Sequence, residues 1–263
     1  MSKIFPSLVV AGVLAGGGAQ AAPLEGWVVD LGARLGASPK WEGSDDTRVR
    51  VTPTLVLRRA NPERRFTPPD PGATFGLIDT GRVTAGPVVV LRSKRDNDDE
   101  LVGLRKVKRA AEVGGFVDVW PANWLRLHLQ ARRGVAGHSA WLGDAGFDLV
   151  YSARRWDASI GPRVSYASDS YMDKYFGVTP EEAALNPAIT AAYAPSGGAR
   201  SIGGRAAFAY YVNDRWRASA DLGYARLGDK AADSPIVRTL GSRDQVTAGV
   251  SLAYTFGLPF GRR

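Results

Sequence analysis

The residues that could do chemistry in this chain are few. It carries two histidines, His128 and His138, and no cysteine, so thiolate chemistry and disulfides are excluded. His138 stands beside Ser139, and a hydroxyl next to a base is the minimum for nucleophilic catalysis. The spacing argues against it. Adjacent strand residues project to opposite faces, and Gly137-His138-Ser139-Ala140-Trp141 lacks the G-x-S-x-G elbow. The acidic run Asp96-Asn97-Asp98-Asp99-Glu100 offers oxygen ligands for Ca²⁺. It has neither the glycine nor the distal glutamate of an EF-hand loop, and it reads as a solvated loop. Glu42-Gly43-Ser44-Asp45-Asp46 reads the same way, as a polar turn. No catalytic residue, metal-ligand set or cofactor motif is assigned.

The other chemistry is cationic. Arg34, Arg48, Arg50, Arg58, Arg82, Arg92, Arg126, Arg132, Arg163, Arg205 and Arg217 recur at positions that alternate with apolar residues. Asp30, Glu112, Asp118, Asp148, Asp157 and Asp221 share that face, and His128 lies on it beside Arg126 and Gln130. Enclosed in a small barrel, such side chains form a salt-bridged plug or line an anion-preferring pore. The formal net charge of +8 does not imply a nucleic-acid partner, because the arginines are spread along strands rather than clustered.

Period-two alternation supplies the elements that hold these side chains. Trp27, Val29, Leu31, Ala33 and Leu35 fall on one face of the first strand, with Val28, Asp30, Gly32 and Arg34 on the other. The pattern repeats over 48–58, 82–92, 111–119, 125–132, 145–151, 156–166, 202–210, 216–224 and 246–256. Strands of about ten to twelve residues are long enough to cross a bilayer at a tilt. Three tight turns carry aromatics at their edges: Trp120 and Trp124, Tyr151 and Trp156, Tyr210 and Trp216. Tyr and Trp settle where an apolar layer meets water, so these turns mark one membrane interface. Longer polar connections lie between them, at 93–108, 133–143, 167–201 and 228–243. The expected fold is all-β: a transmembrane antiparallel up-and-down β-barrel of ten to twelve strands, with short periplasmic turns and long extracellular loops. Twelve fits the even-number rule, with one strand placed at about 66–78. Pro53, Pro87 and Pro162 fall inside strand patterns without an evident reason.

The start of the chain reads as an export signal: Met1-Ser2-Lys3, an apolar stretch over 4–18, then Ala19-Gln20-Ala21. Residues 1–21 are expected to be a signal peptide and 22–263 a single barrel domain.

Two blocks make the chain recognisable. Tyr171-Met172-Asp173-Lys174-Tyr175-Phe176-Gly177-Val178-Thr179 resembles the YM-x-x-YFGVT signature of the MipA/OmpV family (MltA-interacting protein). Leu227-Gly228-Asp229-Lys230-Ala231-Ala232-Asp233-Ser234-Pro235-Ile236-Val237 is similar to its L-x-GDAA-x-SPIV segment. Pro39, Trp41, Gly43, Ser44 and Asp45 resemble its opening P-x-Y-x-GSD. The chain departs from the family's terminal aromatic, since residues 257–263 follow Phe256, with Phe260 among them. The resemblance implies an outer-membrane barrel in contact with lipid and lipopolysaccharide and without known catalytic residues. It also implies a scaffold for a lytic murein transglycosylase and a penicillin-binding protein, other members being porin-like. In the first block Thr179 is expected to cap a short helix from Pro180 to about Leu185, with Tyr175 and Phe176 packed beneath it.

Overall fold

A computed structural model describes residues 26–59, 66 and 68–257. The expected signal peptide and Phe260 lie outside them. Ten long antiparallel strands form most of a barrel wall: β1 (Trp27–Pro39), β2 (Thr47–Arg59), β5 (Val83–Arg92), β6 (Ala110–Ala122), β7 (Leu125–Ala136), β8 (Trp141–Ser152), β9 (Trp156–Ala167), β10 (Gly198–Tyr211), β11 (Trp216–Leu227) and β12 (Asp244–Gly257). Two short strands, β3 (Ala73–Phe75) and β4 (Ile78–Asp79), complete the sheet. Neighbours in sequence pair with each other from β5 round to β12, and β12 pairs with β1. β3 closes the ring by pairing with β2 on one side and β5 on the other, leaving β4 as an extra strand against β5. The barrel is thus an eleven-membered ring plus one strand, and the β2–β3 pair is parallel where the alternation predicts antiparallel neighbours throughout.

The expected strand at 66–78 is replaced by something else. Pro68, Pro69 and Pro71 have no N–H to donate to a ladder, and the segment climbs the inside of the barrel. Phe66 packs at the periplasmic end against Trp120, Val150 and Ala209. Higher up, the carbonyls of Pro69 and Pro71 accept from Arg205 and Gln130. Gly72, at φ +103°, then reverses the chain into β3.

The three strand prolines now have reasons. Gly76 N–H donates to Leu57 O, so the odd-numbered residues of β2 turn their backbone groups away from β1. Pro53 therefore aims its missing donor at an edge that carries no ladder there. Pro87 does the same on β5, between its contacts with β4 and β3. At Pro162 the β8–β9 ladder skips from Gly146↔Arg163 to Leu149↔Ile160, and Arg163 Nη1 donates to the freed Phe147 carbonyl at 3.2 Å.

Trp124, Tyr151, Trp156, Tyr210 and Trp216 ring the outside of the periplasmic rim, with Trp156 stacked on Phe208 and Trp216 edge-on to Tyr254. Trp120 departs from the expected pattern: it is buried in the lumen against Phe66, because its strand position faces inward. Trp141, Tyr166 and Tyr224 are exposed toward the opposite end of the wall. The connection expected over 133–143 shrinks to 137–140, since β7 runs on to Ala136 and β8 begins at Trp141. The remaining loops fold together over the extracellular mouth. They contribute α1 (Asp169–Phe176), α2 (Pro180–Leu185), α3 (Asp229–Ala232) and α4 (Pro235–Leu240), and no helix among the described residues is long and apolar enough to cross a membrane.

Candidate functional site: the lumen and its lid

Charged side chains cluster in the lumen at two levels. In the lower one, Arg126 on β7 meets three carboxylates: Asp70 of the climbing segment at 2.7 Å, Asp118 of β6 at 2.8 Å and Asp148 of β8 at 3.0 Å. Arg163 on β9 reaches Asp148 at 2.8 Å and Asp70 at 3.2 Å, and His128 Nδ1 lies 2.6 Å from Asp118 Oδ1. Strand register produces this convergence, with Asp118 opposite His128 and Arg126 opposite Asp148. Arg126, Asp118, Asp148 and His128 are all buried. Charges persist in such a place only when paired and hydrogen-bonded.

The upper level is a closed circuit of alternating charges. Arg92 on β5 bonds Glu112 on β6, and Glu112 accepts from Arg132 on β7 at 3.0 Å. Arg132 meets Asp144 on β8 at 2.6 Å, and Asp144 lies 3.6 Å from Arg200 on β10. Arg200 donates to Glu42 of loop 40–46, and Glu42 returns to Arg92 at 3.7 Å. Tyr171 on α1 sits at the hub. Its hydroxyl donates to Glu42, and the Arg92 and Arg200 guanidiniums lie 5.1 Å and 5.7 Å from its ring centroid. Burial works to raise the Glu42 carboxyl, but Arg200, Arg92 and the Tyr171 hydroxyl outweigh it and hold it below its ordinary range. Burial pushes the Tyr171 hydroxyl well above 10, so it stays a donor.

Above the circuit the lid has cores of its own. Tyr171, Met172, Tyr175 and Phe176 pack with Leu142, Leu227, Ala231 and Val237, and Tyr171 stacks on Tyr175 at 4.2 Å. A second cluster joins Trp41, Leu101, Leu104, Val178, Ile189 and Ile236. Thr179 caps α2 through a capping box with Glu182, Pro180 being the first helical residue. Arg105 grips the same Glu182, whose carboxyl stays low because this bonding overrides burial. Ser234 Oγ donates to Phe176 O at 2.6 Å, tying the two signature blocks together, with Pro235 opening α4. Gly177 and Gly228 lie where a Cβ would strike Asp173 O and Ala199 O, and Asp229 pairs with Arg243 at 3.1 Å. The signature residues thus hold the lid together and seat it on the charge circuit.

Of the arginines expected in the lumen, Arg34 pairs with Asp221 through two bonds and Arg217 lies 3.7 Å from Asp30. Arg205 donates to Pro69 O. Two depart from expectation. Arg82 is exposed on a periplasmic turn, donating to Pro121 O, because β5 begins only at Val83. Arg50 is exposed and bonds Ser93 instead of an acid. The Arg58 side chain lies outside the described residues. Of the two histidines, His138 points to Glu112 at 3.2 Å and Ser139 is exposed, so the pair form no dyad. Asp98, Asp99 and Glu100 are exposed around a 3-10 turn.

Sequence reasoning missed Asp70, Glu42, Asp144 and Arg200. Asp144 shares the inward face of β8 with Asp148 and was legible. Arg200 was not: a bulge between Ala199 and Ser201 turns it inward against the alternation set by Ile202.

The family model described as MltA-interacting protein MipA matches residues 31–256. Two relatives, outer membrane protein Omp26La of Vibrio anguillarum and outer membrane protein OmpV of Vibrio cholerae, are each 39% identical over 93 residues, 35% of this chain. The match spans about a third of the length of those relatives, 34% of each. Among solved structures, the COG4313 outer membrane channel of Pseudomonas putida F1 aligns over 92% of this chain and 100% of its own, at 12% identity and TM-score 0.47. The NanC porin aligns over 86% and 98%, at 8% identity and TM-score 0.39. With the family model spanning nearly the whole described barrel, the protein resides in the bacterial outer membrane, and the chain belongs to the MltA-interacting protein MipA family.

Proposed function

We propose that this chain is a closed, non-enzymatic barrel that serves as an outer-membrane scaffold for peptidoglycan-processing enzymes. The observation that carries the reading is the pair of ion-paired clusters that fill the lumen at two levels. The Arg126 cluster ties the climbing segment to β6–β9 inside the lumen, the Tyr171 circuit joins β5–β8, β10 and loop 40–46, and the lid packs over them. A barrel built this way offers its surfaces rather than a passage. The surfaces that face the periplasm are the turns at 80–82, 123–124, 153–155 and 212–215, which carry Arg82, Arg154, Arg155 and Arg215 against Asp214. The family's description names a murein transglycosylase interaction, so a lytic murein transglycosylase is the first partner to test, and a penicillin-binding protein the second.

The test is retention of a purified lytic transglycosylase on the immobilised, refolded barrel, with a chain carrying Arg154→Glu and Arg155→Glu beside it. Retention that the charge reversal weakens supports the reading; no retention at low salt overturns it. An anion-preferring channel is the alternative, favoured by the surplus of guanidiniums in the upper lumen. It requires the Asp70 segment to move, and discrete conductance steps from the wild-type barrel in planar bilayers would put it first.

A further inference from the structure

One side of the wall is incomplete. β2 pairs with β1 along its full length, but on its other edge it pairs only at Val56 and Leu57, with β3. The facing edge of β5 is paired only at Thr84, Ala85, Val88 and Val89. Above β3, toward the lid, 47–55 of β2 and 90–92 of β5 therefore face each other without a backbone ladder among the described residues. Pro53 confirms the edge chemically, since its ring occupies the place of a donor that no partner there would use. Leu91 and Val51 flank the opening and are the most exposed large apolar side chains among the described residues, at 79% and 71%; neighbouring strands leave them uncovered. The Arg50 side chain bonding Ser93 crosses this seam.

Behind the seam lies a cavity of about 400 Å³, floored by Asp70 and Pro71 and roofed by Trp41 and Glu42. Leu91, whose side chain is exposed on the outer face, also lines it, so the cavity reaches the seam. The cavity wall carries Arg48 and Arg205, and neither has a carboxylate within ion-pairing distance among the described residues. Among the described residues, Arg48 Nε and Arg200 Nε are buried with no hydrogen-bond partner. A guanidinium has donors only, and an uncompensated one in a site of low dielectric favours an anion strongly. Unpaired strand edges are otherwise excluded from the hydrocarbon region.

We propose that this cavity binds an amphipathic anion that enters from the membrane through the β2–β5 seam. Its phosphate or carboxylate head meets Arg48 and Arg205, and its single apolar chain leaves between Val51 and Leu91. The cavity holds a head group and a few carbons, so the rest of the chain must lie in the seam. Basic residues behind apolar flanks match this occupant better than a second copy of the chain, which would bring no anion. The inference is independent of the scaffold reading.

The experiment titrates the barrel, refolded in a neutral maltoside detergent, with dodecyl phosphate, inorganic phosphate and zwitterionic dodecylphosphocholine by calorimetry. Saturable binding of dodecyl phosphate at one per barrel is expected, at least tenfold tighter than either of the others. Arg48→Met and Arg205→Met should each weaken it about tenfold, the scale of one lost charge-assisted bond, and Val51→Trp should weaken it by obstructing the seam. Heat-modifiable mobility on gels shows that each variant is folded. Inorganic phosphate binding as tightly as dodecyl phosphate would overturn the proposal in favour of a small-anion site closed to the membrane. Dodecylphosphocholine binding equally well, or affinities unchanged in both arginine variants, would overturn the assignment of the head group. A stable dimer that cross-links through Val51→Cys would show the edge covered by a second copy, and would overturn it too.

Discussion

The two sides of this barrel are built to different rules. From β6 to β9 every strand is long, and every buried lumen charge but Asp157 is drawn into the ion-pair clusters: Arg126 with three acids, Arg163 with two, Arg132 with Glu112 and Asp144. From β2 to β5 the wall is spliced with a three-residue strand, and Arg48 lines the cavity without an acid in ion-pairing distance among the described residues. On the β2–β5 side the missing ladder and the missing countercharge of Arg48 occur together. From β6 to β9 the guanidiniums find their countercharges within the barrel; where the wall is open, something from outside can supply one.

The sharpest way to break that comparison is to remove one arginine from each side. Arg126→Met leaves Asp118, Asp148 and Asp70 buried beside one another, and should cost about 3–5 kcal/mol of stability. Arg48→Met removes a half-buried charge that pairs with no acid among the described residues, and should be neutral or stabilising by about 1 kcal/mol. Urea unfolding followed by tryptophan fluorescence reads both. Equal losses would mean that the seam arginine is compensated as well as the wall arginine.

Next in size is Asp70→Asn, which tests whether the climbing segment is pinned to the complete wall. The change removes the charge that Arg126 and Arg163 both use, and should cost about 1–3 kcal/mol. It should also loosen the segment, so that a barrel silent in planar bilayers begins to flicker open. A variant as stable and as silent as the parent would show that Phe66 packing, not the ion pairs, holds the segment in place.

Much of the complete wall was legible in the amino-acid sequence, because a strand with lipid on one side and a polar lumen on the other must alternate with period two. Glu112, Asp118, Arg126 and Asp148 follow from that rule alone. The seam was harder to read. Pro68-Pro69-Asp70-Pro71 forbids a ladder, yet nothing local says that the freed segment turns inward and brings Asp70 to Arg126. Pro53 and Pro87 marked the two edges of the opening, and could be understood only once their partners were known. In the lid, Thr179-Pro180-Glu181-Glu182 announced a helix start, whereas the link from Glu42 to Tyr171 joins residues far apart in the chain and has no local signature.

A smaller effect separates the lid from the wall. Thr179→Ala removes the side-chain half of the capping box, at about 1 kcal/mol. The loss should appear as faster proteolysis of 168–197, with the urea midpoint of the barrel unchanged. A matching drop in that midpoint would join lid and wall into one cooperative unit.

The smallest expected effect is a pH dependence of that same lid. Glu42 titrates below its ordinary 4.5, held there by Arg200, Arg92 and Tyr171 against the opposing effect of burial. A group whose pKa is lower in the folded state adds stability above its unfolded value and loses it as pH falls through the folded one. Tyr171 is shifted upward by burial, so its contribution is present below its ordinary 10.0 and declines only in stronger alkali. The anchor should therefore be at full strength from about pH 5 to pH 9 and weaken below about pH 4.5. Proteolysis of 168–197 by an acid-tolerant protease should accelerate over that acidic range in the parent. In Glu42→Gln the lid should be looser at neutral pH, and its cleavage should change less with acidification. A parent whose cleavage is flat from pH 6 to pH 3, once corrected for the protease's own pH profile, would mean that the hydrophobic cluster around Met172 and Phe176 closes the mouth without help from the charge circuit.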